Sequence, residues 1–361
     1  MQRGHGMADP EVSIVMPVCN SRPDELREAV ESVLGQTLRA VELVCVDDGS
    51  TDDTFARLEA FARQDDRVRL IRFPANKGTL AARNAAILAA KGRYVLPLDP
   101  DDALHPEACE KLSAIMGAHA LDMLQFAVET SEAGGRYRML TNPTSDDVLA
   151  ASEFARDVFL AKKRSWAVIV KMFRREPLAS AAAAFPEGYC ANGEDGLLLF
   201  AFLAAVQRVG CTPLTLYRYR YGHGISTSAR ASRAQTERIM RSLRYSLPWT
   251  KAQDRPLGDA LRRELLATSL GTLAFARIDG ASRLDAMRAL APFADAAEIM
   301  AACRSFMPGC GGRFRRWTLL LKRAFARRGA RRRKLSRKLA LCARAARMAA
   351  AARAGKEGTS T

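Results

Sequence analysis

Residues 93–106 read RYVLPLDPDDALHP, so three carboxylates, Asp99, Asp101 and Asp102, follow directly on an apolar run at 94–98. A run of that length reads as a short buried strand. Each carboxylate at its mouth raises the cost of ionising the next, and the cluster is tolerable where solvent or a cation offsets the repulsion. Two readings suit it: a polar turn, since Asp and Pro are turn formers, or a site for a hard cation that takes oxygen ligands. Asp47 and Asp48 close a second apolar run, and Glu194 and Asp195 stand before a third, GLLLFAFLAAV.

The elements that must position these groups are legible from hydrophobic period. VSIVMP (12–17) is a buried strand, and RPDELREAVESVLGQT is an amphipathic helix with Leu26, Val30, Val33 and Leu34 on one face. VELVCVDDGS is a second strand, TDDTFARLEAFARQ a helix with Ser50 or Thr51 as its expected cap, and VRLIRFP a third strand. GTLAARNAAILAAKG is a helix closed by Gly92, and YVLPLD is the fourth strand. Strands separated by helices imply right-handed crossovers and a parallel sheet, whose ligands bind outside the carboxyl ends of the strands. Asn20, Asp47, Asp48, Asp99, Asp101 and Asp102 all fall at those ends, on one expected rim.

Beyond Asp102 the pattern loosens. PEACEKLSAIMGA reads as a helix, DMLQFAVET as a strand, GGRYRMLTNPTSDD as a hairpin or excursion, and SEFARDVFLAKK as a helix. WAVIVKMFRRE is expected to be a strand; the loop FPEGYCANGED leads into the apolar helix, and TPLTLYRYRYGHGIS is a strand ending at His223 between two glycines. Residues 229 to about 305 are helical by pattern and hold no metal-spaced cluster.

Composition sets outer limits. At 361 residues, 48% hydrophobic and 26% charged, the chain is globular and long enough for about two domains. Its longest apolar run, 197–206, falls short of the ~18 residues of a membrane span, and the N-terminus lacks the apolar core of a signal peptide. Eight cysteines without a C-x-x-C pair are expected to be mostly reduced core residues. The net charge of +17 is local: residues 311–361 hold 17 Lys and Arg against one acid, leaving 39 bases and 38 acids in residues 1–310.

VSIVMPVCN, SVLGQT, VELVCVDDGSTDDT, NKGTLAARNAAI, GRYVLPLDPDD, GED and YRYRYGHGIS, in that order, resemble the inverting family 2 glycosyltransferases of the GT-A fold. The resemblance covers about residues 11–228. It implies an α/β fold with a Rossmann-like, mainly parallel sheet, divided into a nucleotide-sugar half (11–110) and an acceptor-side half (111–228). A helical region (229–310) and a basic tail (311–361) complete the chain. The implied reaction is metal-dependent transfer of a sugar, with inversion, from a nucleotide-diphosphate sugar of the UDP class to an acceptor hydroxyl in surface polysaccharide or glycoconjugate synthesis. Carried over residue by residue, Asp101 is the first metal ligand, Asp99 a metal or ribose contact, and His223 a further ligand for Mn²⁺ or Mg²⁺. Asp102 supports them through a backbone amide or a neighbouring ligand. Pro17, Cys19, Asp48, Lys77 and Arg83 line the nucleotide, Asp48 accepting from the base's ring N–H. Asp195 is the general base at a helix start, where the helix dipole favours its charge, and Glu194 orients the site. Cys19 departs from the pattern, standing where many relatives place an aromatic residue against the base. His5, His105 and His119 carry no assigned role.

Two other readings compete. A phosphatase of the haloacid dehalogenase type also uses Asp-x-Asp after a strand, but on an early strand, with a downstream Lys and paired acids. A nucleic-acid-binding protein could act through the basic tail, although the neutral body argues against specific nucleic acid. The tail also suits another surface: Phe314, Trp317, Leu321 and Phe325 recur at helical spacing among Arg313, Arg315, Arg316, Lys322 and Arg323. That is the pattern of a helix lying on an anionic membrane, so residues 311–354 are expected to bring a cytoplasmic enzyme to the inner face of the cell membrane and to a glycan or lipid-linked acceptor.

Overall fold

The strand 12–18 is buried along its whole length, and so is 41–47, because both faces of a parallel sheet are covered by helices and each strand can be apolar throughout. The computed structural model describes residues 9–130, 141–220, 233–253, 256–275 and 298. In chain order the first half runs β1 (Val12–Val18), α1 (Pro23–Leu34), β2 (Val41–Asp47), α2 (Thr54–Gln64), β3 (Val68–Arg72), α3 (Thr79–Ala89) and β4 (Tyr94–Pro97). There follow β5 (Ala103–Leu104), α4 (Ala108–Ala118), β6 (Met123–Thr130), β7 (Asp147–Ala150) and α5 (Ala151–Phe159). The elements β8 (Lys171–Arg174), α6 (Arg175–Ala183), α7 (Glu194–Leu203) and β9 (Arg208–Tyr219) complete the first unit, and α8 (Arg233–Lys251) and α9 (Leu257–Phe275) lie in the second. The two compact units are residues 1–228 and 229–361.

The sheet order is β3-β2-β1-β4-β8-β6-β9-β5, with β7 also on β9. The first four strands are parallel, β1 pairing Val12 with Val41 on one side and with Tyr94 on the other. The strand order reverses between β1 and β4, which opens a crevice at their carboxyl ends. From β4 onward the sheet is mixed: β8 is antiparallel to both β4 and β6, while β6 and β9 run parallel. The core of the first unit joins Val12, Ile14 and Met16 of β1 to Leu26, Val30 and Val33 of α1 and to Phe126, Met172 and Tyr217 of the mixed half.

Three local expectations are corrected. The run expected to be a strand from Trp166 is strand only at Lys171–Arg174, and residues 165–170 are a buried, non-strand segment. The same strand is also expected to run on through Glu176, and Arg175–Ala183 instead forms α6. Ser50 and Thr51 do not cap α2. Asp52 Oδ1 accepts the Thr54 amide at 3.0 Å, whereas Ser50 Oγ accepts the Asn20 amide and the Thr51 amide donates to Asn20 Oδ1 at 2.8 Å. The two residues join the loop after β1 to the loop after β2. His223, residues 134–140 of the expected hairpin, most of the region 276–310 and the basic tail 311–361 lie outside the described residues. Among the described residues, Cys19, Cys45, Cys109 and Cys211 are free thiols, and no helix is long and apolar enough to cross a membrane.

Gly78 fixes the start of α3. Its φ of 92° and ψ of 154° lie in a region open essentially to glycine, and a Cβ there would come within 2.8 Å of the Cys190 carbonyl oxygen. The same carbonyl accepts the Leu80 amide at 2.9 Å, so α3 is seated on the loop that precedes α7. Gly78→Ala is expected to lose about 1–3 kcal/mol from backbone strain alone. The measurement is the urea midpoint of unfolding, and an unchanged midpoint would show that this seat bears no strain.

Candidate active site

At the mouth of β2, Asp48 is buried and both of its oxygens take backbone amides, Oδ1 from Lys77 at 2.6 Å and Oδ2 from Gly78 at 2.9 Å. Burial pushes its carboxyl above the ordinary range, and those two amides pull against the shift. Asn76 donates to the Asp48 carbonyl at 3.2 Å and to Cys19 Sγ at 3.3 Å. Gly49, at φ 69°, lets this turn close, since a Cβ would meet the Asn76 nitrogen at 2.6 Å. The loops after β1, β2 and β3 are thus interlocked, with half-buried Cys19 at their centre and Pro17 buried within β1. Lys77 takes part through its amide, while its ammonium lies 4.9 Å from the centroid of the Phe73 ring.

At the mouth of β4, Asp99, Asp101 and Asp102 present oxygens that all lie within 4.8 Å of one another. Their surroundings differ sharply. Asp102 is buried, accepts the Tyr217 hydroxyl at 2.7 Å on Oδ2 and the Arg220 amide at 2.8 Å on Oδ1, and so holds the end of β9. Burial, and then the charges of Asp101 and Asp99, hold its carboxyl well above the usual carboxylate range. Tyr217 also accepts the Asp99 amide at 3.3 Å, so one phenol fixes the turn at both ends. Asp101 is half-buried between them. This donor set is all oxygen, and it fits a hard divalent cation, which would offset the repulsion among three adjacent carboxylates.

The third acidic pair meets the second through Arg83. Its side chain is only 2% exposed; Nη2 donates to Asp99 Oδ1 at 3.0 Å, Nη1 donates to Asp195 Oδ1 at 2.8 Å, and Glu194 Oε1 lies 3.6 Å from Nη1. Burial alone would lower the guanidinium's pKa, but Asp195, Asp99 and Glu194 together outweigh it and raise it. Burial also raises Asp99, with Arg83 opposing and Asp195 adding to the shift. Glu194 is raised by burial and then by the adjacent Asp195. Both acids open α7 after Gly193, whose φ of 78° is left-handed, and they stand at the positive end of the helix dipole. Asp195 Oδ2 accepts the Val168 amide at 3.2 Å. The base candidate is therefore held from both sides, by a guanidinium and by an amide.

Sequence reasoning named Asp99, Asp101, Asp195, Glu194 and Arg83, and the fold brings them to one place; it named neither Tyr217 nor the Val168 amide. Tyr217 carried a signal, the alternating YRYRY at 217–221, which puts 217 and 219 on one face of the strand. A backbone amide carries none.

Residues 13–181 match the family described as Glycosyl transferase family 2. The chain is 28% identical over 222 residues to the uncharacterized glycosyltransferase YibD of Escherichia coli K12, covering 60% of this chain and 63% of that protein. It is 31% identical over 219 residues to the succinoglycan biosynthesis protein ExoO of Rhizobium meliloti, covering 60% of this chain and 62% of that one. The matched stretch thus spans under two thirds of either relative. In fold, the chain resembles S. aureus TarS 1–349 solved with UDP-GlcNAc, with a TM-score of 0.57 at 20% identity over 88% of this chain and 87% of that one. The parallel β3-β2-β1-β4 order, the acidic rim and the match over 13–181 agree: the fold is that of the GT-A sheet, and residues 13–181 are similar to the glycosyltransferase family 2 domain.

Proposed function

We propose that this domain transfers a sugar, with inversion, from a nucleotide-diphosphate sugar of the UDP class to an acceptor hydroxyl, in the assembly of a surface polysaccharide or glycoconjugate. The observation that carries the reading is the Arg83 bridge, which ties a carboxylate of the Asp99–Asp102 cluster to the helix-opening acid Asp195. Inverting transfer needs those two functions on opposite sides of one sugar: charge neutralisation at the leaving diphosphate and a base at the incoming hydroxyl. Asp195 takes the proton of the acceptor hydroxyl as it attacks, its orientation held by Arg83 and the Val168 amide. Asp101 and Asp99 would hold a divalent cation, Mn²⁺ or Mg²⁺, and His223 is the further ligand expected from the sequence. When bound, that ion acts as a Lewis acid on the departing diphosphate oxygens. Asp102 and Tyr217 keep the turn in shape, and Glu194 sets the electrostatics around the base.

Asp48 first clamps the loop at 76–78. A carboxylate has about four acceptor positions, so the ring N–H of a pyrimidine adds to the two amide bonds rather than replacing them. Cys19 and the Asn76 side-chain amide border that position, and Pro17 is the further nucleotide contact expected from the sequence. The phosphatase alternative loses its footing, since the Asp-x-Asp group follows the fourth strand and the domain matches another family. The anionic membrane surface and a lipid-linked or glycan acceptor, reached through residues 311–354 on the inner face of the membrane, belong to the same proposal.

Asp195→Asn is expected to cut UDP release from a UDP-sugar by about 10²- to 10⁴-fold while leaving UDP affinity near that of the wild type. Turnover unchanged in this variant removes Asp195 from the role. Asp101→Ala is expected to weaken UDP binding only when the divalent ion is present. Calorimetric titration of UDP with and without Mn²⁺ measures this, and equal metal dependence in both proteins ends the assignment. The full chain is expected to float with anionic vesicles at low salt, and a chain ending at Gly311 to remain in the soluble fraction; equal flotation of both puts the membrane contact elsewhere.

A further inference from the structure

Lys171 opens β8 and is fully buried, with 0% of its surface exposed. Nothing in the mechanism above uses it. A buried lysine is rare, because taking the ammonium out of water is costly unless its hydrogens are satisfied. Here the nitrogen donates to two backbone carbonyls, Ala167 at 2.6 Å and Ser165 at 2.9 Å. The Lys171 amide returns to the Val168 carbonyl at 3.1 Å, and Ser165 Oγ accepts the Ala167 amide at 3.1 Å. Segment 165–171 is therefore wound around the lysine's own side chain. The residue inside that winding, Val168, is the one whose amide reaches Asp195 Oδ2.

We infer that Lys171 is a positioning residue for Asp195: its buried amine tethers the 165–168 turn so that the Val168 N–H fixes the second oxygen of the base. The inference rests on the reading of Asp195 as base. The tether is indifferent to protonation. Burial pulls Lys171 down to about 7, with Asp195 and Cys211 leaning the other way, and either the amine or the ammonium has at least two N–H bonds for the two carbonyls. The residue matters through geometry, because a carboxylate gripped only at Oδ1 by Arg83 can rotate about that contact. Misplacement of a reacting group by an ångström is worth about 100-fold in rate.

The test uses the full-length protein and three variants, Lys171→Met, Asp195→Asn and the double variant, with UDP release from UDP-GlcNAc or UDP-glucose as the activity. Lys171→Met keeps the stem and deletes the donors. Its kcat is expected to fall about 10- to 100-fold with KM for the donor within about threefold. The double variant is expected to be no slower than Asp195→Asn alone, because the lysine acts only through that carboxylate. Independently of activity, hydrogen exchange in peptides spanning 165–170 is expected to speed up in Lys171→Met. A Lys171→Met protein with wild-type kcat and wild-type exchange at 165–170 overturns the inference while leaving Asp195 as base. An Asp195→Asn protein with full turnover overturns the base reading and the inference together. A double variant that loses a further 10-fold below Asp195→Asn assigns Lys171 a general structural role and overturns it too. Should Lys171→Met fail to fold, Ser165→Ala, which loosens the same turn, is read by the same two measurements, with a smaller loss of kcat and faster exchange expected.

Discussion

One guanidinium holds the two halves of this domain in register. Arg83 is buried among Asp99, Glu194 and Asp195, and taking such charges out of water is compensated only when the geometry pairs them closely. Burial raises both Asp99 and Glu194, and Asp195 adds to both shifts because one guanidinium does not offset three carboxylates. Removing a partner from a buried cluster of this kind typically costs about 3–5 kcal/mol, so the contacts that place Arg83 are also those that place the site.

Those contacts begin at the turn before α3. Gly78 allows the helix to start against the Cys190 carbonyl, and Asp48 receives the amides of Lys77 and Gly78 just ahead of it. The mouth of β2, the N-terminus of α3 and the loop before α7 are therefore one rigid junction. From that start, Arg83 lies one turn into α3 and reaches the mouth of β4 and the head of α7. On the far side, Tyr217 and Asp102 fasten β9 to the same turn, and Arg220 adds ion pairs to Glu25 and Glu28 on α1. The parallel and mixed portions of the sheet, joined edge to edge at β4 and β8, are thus also joined across their carboxyl rim.

How much of this was legible in the sequence follows from where each signal is stored. The strands of the parallel half are continuous apolar runs punctuated by acidic turns, and the helices between them carry a clear stripe, so β1 to β4 and the acidic rim could be placed by period alone. Segment 165–170 defeated the same reasoning: a short apolar run is equally a buried strand and a buried turn, and what decides is Lys171 folding its amine back onto Ser165 and Ala167. Arg83 was legible as a residue of interest but not in its setting. An arginine on a helix reads as solvated unless its partners are known, and these lie 16 and 112 residues further along the chain.

The opening cluster shows why adjacent, identical side chains need not share a role. Asp99, Asp101 and Asp102 occupy one turn, yet Asp99 is drawn to Arg83 on one side while Asp102 is drawn under the sheet to Tyr217 and the Arg220 amide on the other. Each of those bonds lowers the cost of keeping its own carboxylate where burial would neutralise it, and together they hold the flanking acids apart in environment though not in distance. Asp101, half-buried at the middle of the group, completes a set of oxygens within 4.8 Å of one another. The turn is therefore held at both ends by unlike partners, and the negative charge of the group is concentrated between those ends.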